Sequence, residues 1–383
     1  MKRLVLVGAG RAHLQLLATL AQQPLPAVQV ALVSPHAQAL YANRLTGRMA
    51  AGAEPAPAVH IALAKLAHAA KVAFIDASVQ ALDPDAHTLT LSDGTQLDHD
   101  TLSLNTGAVA DRDAIPGARE NALFARPVEH LLRLWDGVVA LAQQQAVSLV
   151  VVGGGASGVE LALAAQHRLG ERARVSLLTG GGPLLASHTP ALQQRVAQVL
   201  RARRIQVFHE RCVAVQPGQV QLASGTRLAC DVPLIATTPV APAWLAGSGL
   251  ALDDAGFVAT TATLQSCSHP DVFAAGDVAG VRGGAWAERA GPPLALNLRR
   301  FVAGGALEPW APSAREPLTL LSDGATRAIG AWGPLAFDAA WLGRWKHRRD
   351  ARFVADFPHD TGAAIGSSSS AGAGAGAGAA PAD

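Results

Sequence analysis

Four apolar residues, Leu4-Val5-Leu6-Val7, run directly into Gly8-Ala9-Gly10, and the leucine-rich stretch "HLQLLATLAQ" follows. A short apolar run ended by glycine predicts a buried strand, and apolar positions recurring every three or four residues predict an amphipathic helix. "VQVALVS" (28–34) is a second β-run, so the chain begins as a βαβ unit. Over 71–107, "KVAFIDASVQALDPDAHTLTLSDGTQLDHDTLSLNTG", the pattern changes. Short β-runs separated by Asp-Pro and Asp-Gly turns predict a β-meander before a strand at "TLSLNTG". At 146–170, "AVSLVVVGGGASGVELALAAQHRLG" starts the pattern again, followed by the β-run "RVSLLTG" and a second turn-rich β stretch at 213–239. The two halves repeat one order of elements about 145 residues apart, too long a period for a solenoid. Strands alternating with helices predict an α/β fold.

Composition adds limits. A chain of 383 residues is long enough for two or three domains, and half of it is apolar with 16% charged, which supplies ample core. A formal net charge of +2 argues against a nucleic-acid partner. No apolar run reaches the roughly 18 residues of a membrane span, and the glycines at 8 and 10 spoil a signal peptide. Cys212, Cys230 and Cys267 form no CxxC and no even framework, which suits a reducing compartment and a cytoplasmic protein. Thirteen histidines are scattered without an HxxxH or HExxH, so no metal site is expected. From 366 the chain is Gly/Ala/Ser-rich and reads as a disordered tail.

Chemistry is concentrated at the two glycine clusters. Gly153-Gly154-Gly155-Ala156-Ser157-Gly158 satisfies G-x-G-x-x-G between a strand and a helix. Such glycines make a tight turn, let a pyrophosphate approach the backbone, and allow close helix–strand contact. The phosphates then meet free N–H groups at the positive end of the helix. In the first cluster Gly8 and Gly10 keep the turn, but His13 stands where the third glycine should be. By itself it reads as a packed helix residue. A third signal is "TTATLQSCSHPDVFAAGD", which ends in Gly276-Asp277.

With this third motif in order, residues 1 to about 300 resemble the two-dinucleotide-fold flavoproteins, the pyridine nucleotide-disulfide oxidoreductases. The sequence is most similar to the type II NADH dehydrogenase and sulfide:quinone oxidoreductase branch, and to the flavoprotein module fused to selenide, water dikinases. His13, "LVSP" (32–35), "AGPPLALNLRRFVAG" (290–304) and the stretch 333–357 carry that narrower likeness. The resemblance implies two Rossmann-like domains, the second inserted in the first: FAD-binding parts at 1–112 and 244–304, an NAD(P)-binding domain at 113–243, and a small C-terminal segment at 305–365. It implies an FAD site at Gly8, Gly10, His13, Ser34, Gly107, Gly276, Asp277 and Pro292, with Asp277 on the ribityl chain. Gly153, Gly155 and Gly158 would hold NAD(P)H, and Glu160 would lie near the nicotinamide as the catalytic candidate; a solvated helix charge is the plain alternative. Pro292-Pro293 suit a helix start, whose positive end would face the flavin.

Departures narrow this. Ser34 and Thr179 stand where an acidic residue usually takes the ribose hydroxyls, which leaves NADH or NADPH preference open. "YANRLTGRMAAG" (41–52) lacks the cysteine pair of the disulfide reductases. The function implied is FAD-dependent transfer from NAD(P)H to a quinone or another small acceptor, without a redox-active disulfide. The alternative is a flavin-binding accessory protein of selenium or sulfur metabolism with little turnover. Trp332, Trp341 and Trp345 with Lys346, Arg348 and Arg349 make either a peripheral contact with the inner membrane face or a packed helix with a basic outer side. A homodimer stays open.

Overall fold

The computed structural model describes residues 1–40, 49, 60–280, 289–310 and 318–358. The tail expected at 366–383 and most of 41–52 lie outside the described residues.

Two five-stranded parallel sheets carry the fold. In the first, the strand Lys2–Val7 is central, with Val28–Val33 and then Ala73–Ile75 on one side and Thr101–Leu104 and then Val272–Ala274 on the other. The second has the same plan around Val147–Val152, with Ala173–Leu178 and Gln206–Phe208 on one side, Val232–Ile235 and Leu123–Phe124 on the other. Residues 4–7 and 149–152, the inner parts of the central strands, are apolar throughout because parallel sheets are covered on both faces. The duplicated hydrophobic pattern is thus a duplicated topology.

Both predicted meanders are present as three-stranded antiparallel sheets, 79–98 and 212–229. Each covers one face of its parallel sheet. Leu82 and Leu89 pack with Val5, Val7 and Leu102 in the first unit, and Val215 and Val220 pack with Val150 and Val152 in the second. The second unit is inserted between Thr101–Leu104 and Val272–Ala274, and the outgoing and returning chains touch. Val109 and Val240 exchange both backbone hydrogen bonds at 2.9 Å.

The C-terminal segment is a third antiparallel sheet, Thr319–Ser322, Ala328–Trp332 and Leu335–Ala339, followed by the helix Ala340–Ala355. Its apolar residues divide between the two units. Leu321, Ile329 and Ala331 enter the core of the second, whereas Phe353, Val354 and Phe357 enter that of the first. Among the described residues no helix is long and apolar enough to cross a membrane.

Candidate functional site

The first glycine turn is built against residues 105–106. Gly8 has φ +85°, and a Cβ there would come within 2.6 Å of the Thr106 Cα. A Cβ on Gly10 would strike the Asn105 side chain. Asn105 itself ties three segments together. Its backbone N–H donates to Val7 O at 2.8 Å and its carbonyl accepts from Gly10 at 3.1 Å. Its side chain accepts from the His13 N–H at 3.2 Å and donates to Ala275 O at 2.5 Å. The turn is therefore clamped to the residue before Gly276-Asp277. The available signal was a lone amide ending the otherwise buried run "TLSLN".

His13 braces this turn from beneath. Its ring is wholly buried, with Nδ1 2.6 Å from Gly8 O and Nε2 2.8 Å from Ser103 Oγ. A carbonyl can only accept, so Nδ1 carries the proton and Nε2 accepts from the serine hydroxyl. Burial lowers the pKa to about 4, against a smaller upward pull from the Gly8 carbonyl. With no accessible surface, the ring cannot touch a bound cofactor. The expectation of a contact there is corrected to support of the turn.

The other expected residues lie at the same carboxyl end of the sheet. Ser34 follows the strand Val28–Val33 and is buried, its hydroxyl 3.4 Å from the His36 N–H. Gly107 has φ +79° with open space beside it. Gly276 has φ +76°, and the Asp277 carboxylate lies 3.1 Å from the Arg126 guanidinium. That arginine, from the segment entering the second unit, had no local sequence signal. Pro292 lies in the first turn of the helix Gly291–Ala303, which packs on the helix Arg11–Gln22.

The second turn is tighter. Gly153 lies under Ala236 O, and a Cβ on Gly158 would drive into the Gly153 carbonyl. Gly155 differs: it faces open space and caps the helix Ala156–Leu169 without any side-chain partner. Gly153, Gly158 and Gly154, whose Cβ would meet Thr179, thus serve packing, and Gly155 leaves room for a ligand. Thr179 Oγ1 donates to Gly182 O at 2.6 Å, so the position of the usual acidic residue is a neutral contact.

Glu160, one turn along that helix, points at the C-terminal segment. Its Oε1 accepts from the Ser322 N–H at 2.7 Å. Burial raises its pKa, opposed by the nearby Lys346 ammonium, which lies 3.0 Å from Asp350 Oδ2. It is not a solvated helix charge. Trp332 at the end of its strand and Trp341 and Trp345 on the helix Ala340–Ala355 are exposed, while Leu342 and Val354 hold that helix down.

The cysteines are free and apart from both turns. Cys212 opens the second meander and Cys230 follows its last strand; both are buried, and burial raises both thiols, Cys230 to about 12. Exposed Cys267 follows Ser266, whose N–H donates to Val272 O where the chain doubles back on the end of Val272–Ala274 remote from Gly276, and its own N–H donates to Ala259 O at 2.9 Å. The histidines are less scattered than expected: His87, His99 and Asp271 come together.

A family model for pyridine nucleotide-disulphide oxidoreductases matches residues 2–297. The demethylphylloquinone reductase NdbB of Synechocystis is 31% identical over 216 residues, covering 54% of this chain and 54% of its own. An NADH dehydrogenase-like protein of Mycobacterium tuberculosis is 30% identical over 241 residues, 59% of this chain and 60% of its own. The chain therefore spans between half and three fifths of the length of these relatives. Among solved structures, the sulfide:quinone oxidoreductase of Aquifex aeolicus superposes with a TM-score of 0.78 at 19% identity, over 92% of this chain and 91% of that one. With two matching parallel sheets, two glycine turns and a family match across three quarters of its length, this chain belongs to the pyridine nucleotide-disulphide oxidoreductase family.

Proposed function

We propose that this chain is an FAD-dependent oxidoreductase that takes electrons from NAD(P)H and delivers them to a quinone or another small acceptor, with no disulfide on the path. The observation that carries this is the first glycine turn locked by Asn105 to the segment of Gly276-Asp277. Gly8 and Gly10 let the turn close against Asn105 and Thr106, and Gly10 caps the helix Arg11–Gln22 without a side-chain acceptor, which supports a pyrophosphate at that helix end. The residues fit FAD: Gly8 and Gly10 at the pyrophosphate, Ser34 and Gly107 beside it, Asp277 at the ribityl hydroxyls, and the Pro292 helix end toward the ring. FAD bound there supplies the step from a two-electron donor to an acceptor that takes electrons singly or in pairs.

The chain's own residues do the rest. Gly155, open and uncapped, is assigned to the nicotinamide cofactor's pyrophosphate, and Glu160 to the region near its reactive ring. Glu160, held by Ser322 and facing Lys346, is a carboxyl whose raised pKa suits holding a proton. Trp332, Trp341 and Trp345 form the surface assigned to peripheral membrane contact, which suits an apolar acceptor. The relatives named for quinone and NADH chemistry support this assignment.

The test is anaerobic addition of NADH or NADPH to the yellow protein. Bleaching of the flavin at a rate matching quinone reduction is expected. Flavin that stays oxidised with both donors would favour the accessory reading and overturn this one. Asp277→Ala should release flavin on dilution, since the ribityl hydroxyls lose a charged acceptor worth about 1.5–3 kcal/mol.

A further inference from the structure

The first parallel sheet has two unlike ends. Gly8, Asn105 and Gly276 lie at the carboxyl ends of its strands. Roughly 17 Å away, the span of the strand Lys2–Val7, lies the amino end. Three segments far apart in sequence meet there: the meander turn holding His87, the residue pair His99-Asp100 before Thr101–Leu104, and Asp271 before Val272–Ala274.

The backbone fixes this meeting. The His99 N–H donates to His87 O at 3.0 Å, and the Leu102 N–H donates to Asp271 O at 3.0 Å. The two imidazoles stand edge to face, 5.7 Å between centroids and 84° apart. His99 is 2% exposed, yet neither of its ring nitrogens has a hydrogen-bond partner. The Asp271 Oδ2 is also buried without one; His87 Nδ1 is 3.2 Å away but misaligned for a hydrogen bond. Buried polar atoms are normally satisfied, so an unpartnered His99 ring and an unpartnered Asp271 Oδ2 in one cluster point to something that binds a nitrogen of one and the oxygen of the other. One ligating atom from each residue lies within 4.8 Å of the others. Neighbouring Asp85 and His269 pair with each other at 3.2 Å and leave one carboxylate in the cluster.

We propose that His87, His99 and Asp271 bind one divalent transition-metal ion of the zinc class, with water completing the coordination. Two imidazoles and a carboxylate suit zinc, nickel or cobalt; calcium and magnesium prefer all-oxygen sites, and copper(I) prefers sulfur. Tetrahedral bonds of about 2.1 Å put ligand atoms roughly 3.4 Å apart, so the cluster must contract. His87 supplies that movement, being exposed on a turn while the backbone holds the other two. The ion pins the meander to the amino end of the sheet, away from the redox site, and shares no residue with it.

The test uses the full, tag-free chain with its flavin, stripped with a chelator. Zinc chloride is titrated by calorimetry in a non-coordinating buffer, and melting is followed with and without zinc. One zinc per chain and a rise of several degrees in melting temperature are expected. His87→Ala and Asp271→Asn should each weaken binding by about tenfold or more, while flavin content stays at one per chain and His167→Ala, on a remote exposed histidine, binds as the parent does. No saturable binding by the parent up to millimolar zinc would overturn the proposal, as would parental affinity in both variants.

Discussion

A neutral imidazole beneath Gly8 couples the first glycine turn to acidity. The unfolded chain protonates His13 as pH falls through 6.5, whereas the folded chain resists until about 4. The stability that His13 contributes is therefore complete above pH 6.5 and lost between 6.5 and about 4. At 1.36 kcal/mol per pKa unit the loss is roughly 3 kcal/mol. His13→Gln should melt lower than the parent at pH 7, because it gives up two buried hydrogen bonds. That gap should close as pH falls toward 4; a gap constant with pH would refute the linkage. Gly158 is decided by space alone. A Gly158→Ala methyl meets the Gly153 carbonyl, so the variant should keep its flavin but lose at least about tenfold in apparent NAD(P)H affinity. Stopped-flow reduction at varied donor concentration measures it. Gly158 could be named from the spacing G-x-G-x-x-G, but Asn105 could not, since its partners Gly10 and His13 lie about 90 residues before it and Ala275 170 residues after it.

Among the elements, the C-terminal helix and sheet form a strap across the two units. Arg203 and the buried Asp323 pair at 2.8 Å, and the Ala62 N–H reaches Pro358 O at 3.0 Å. Glu160 meets this strap at Ser322, with Lys346 and Asp350 facing it. Its folded pKa lies above the unfolded one, so its contribution is full below the ordinary carboxyl pKa and is lost as pH rises through the raised value. Glu160→Gln removes the charge, so its melting temperature should gain on the parent's as pH rises from about 4.5 toward 8. If the gap instead narrowed over that range, the Lys346 pairing would outweigh burial. The helix itself was legible in part. Leu342, Phe353 and Val354 make its buried side, and the exposed Trp341 and Trp345, one turn apart, share another face; the exposed Trp332 belongs to the preceding strand Ala328–Trp332 and no helical period reaches it.

At the scale of the whole molecule, the family's disulfide is replaced by nothing. Two thiols lie in the second unit with raised pKa, which starves them of thiolate, and Cys267 lies beside the end of Val272–Ala274 remote from Gly276. A Cys212→Ser, Cys230→Ala, Cys267→Ser triple variant should keep flavin reduction and quinone turnover within a few-fold of the parent. A hundredfold loss with flavin and melting temperature intact would place sulfur on the path. The order of strands, glycine turns and helices was legible along the chain, because each strand is an apolar run and each turn needs glycine within a few residues. The duplication was legible for the same reason. What touches what across the halves was not. Asn105 under the glycine turn, Arg126 against Asp277, Glu160 on Ser322 and the His87–His99–Asp271 cluster each join residues that are neighbours only after the sheets form. Local patterns follow from backbone geometry and periodic burial, which a short window contains. Long-range pairs are chosen by how two sheets and a strap pack, and no window of the sequence contains that.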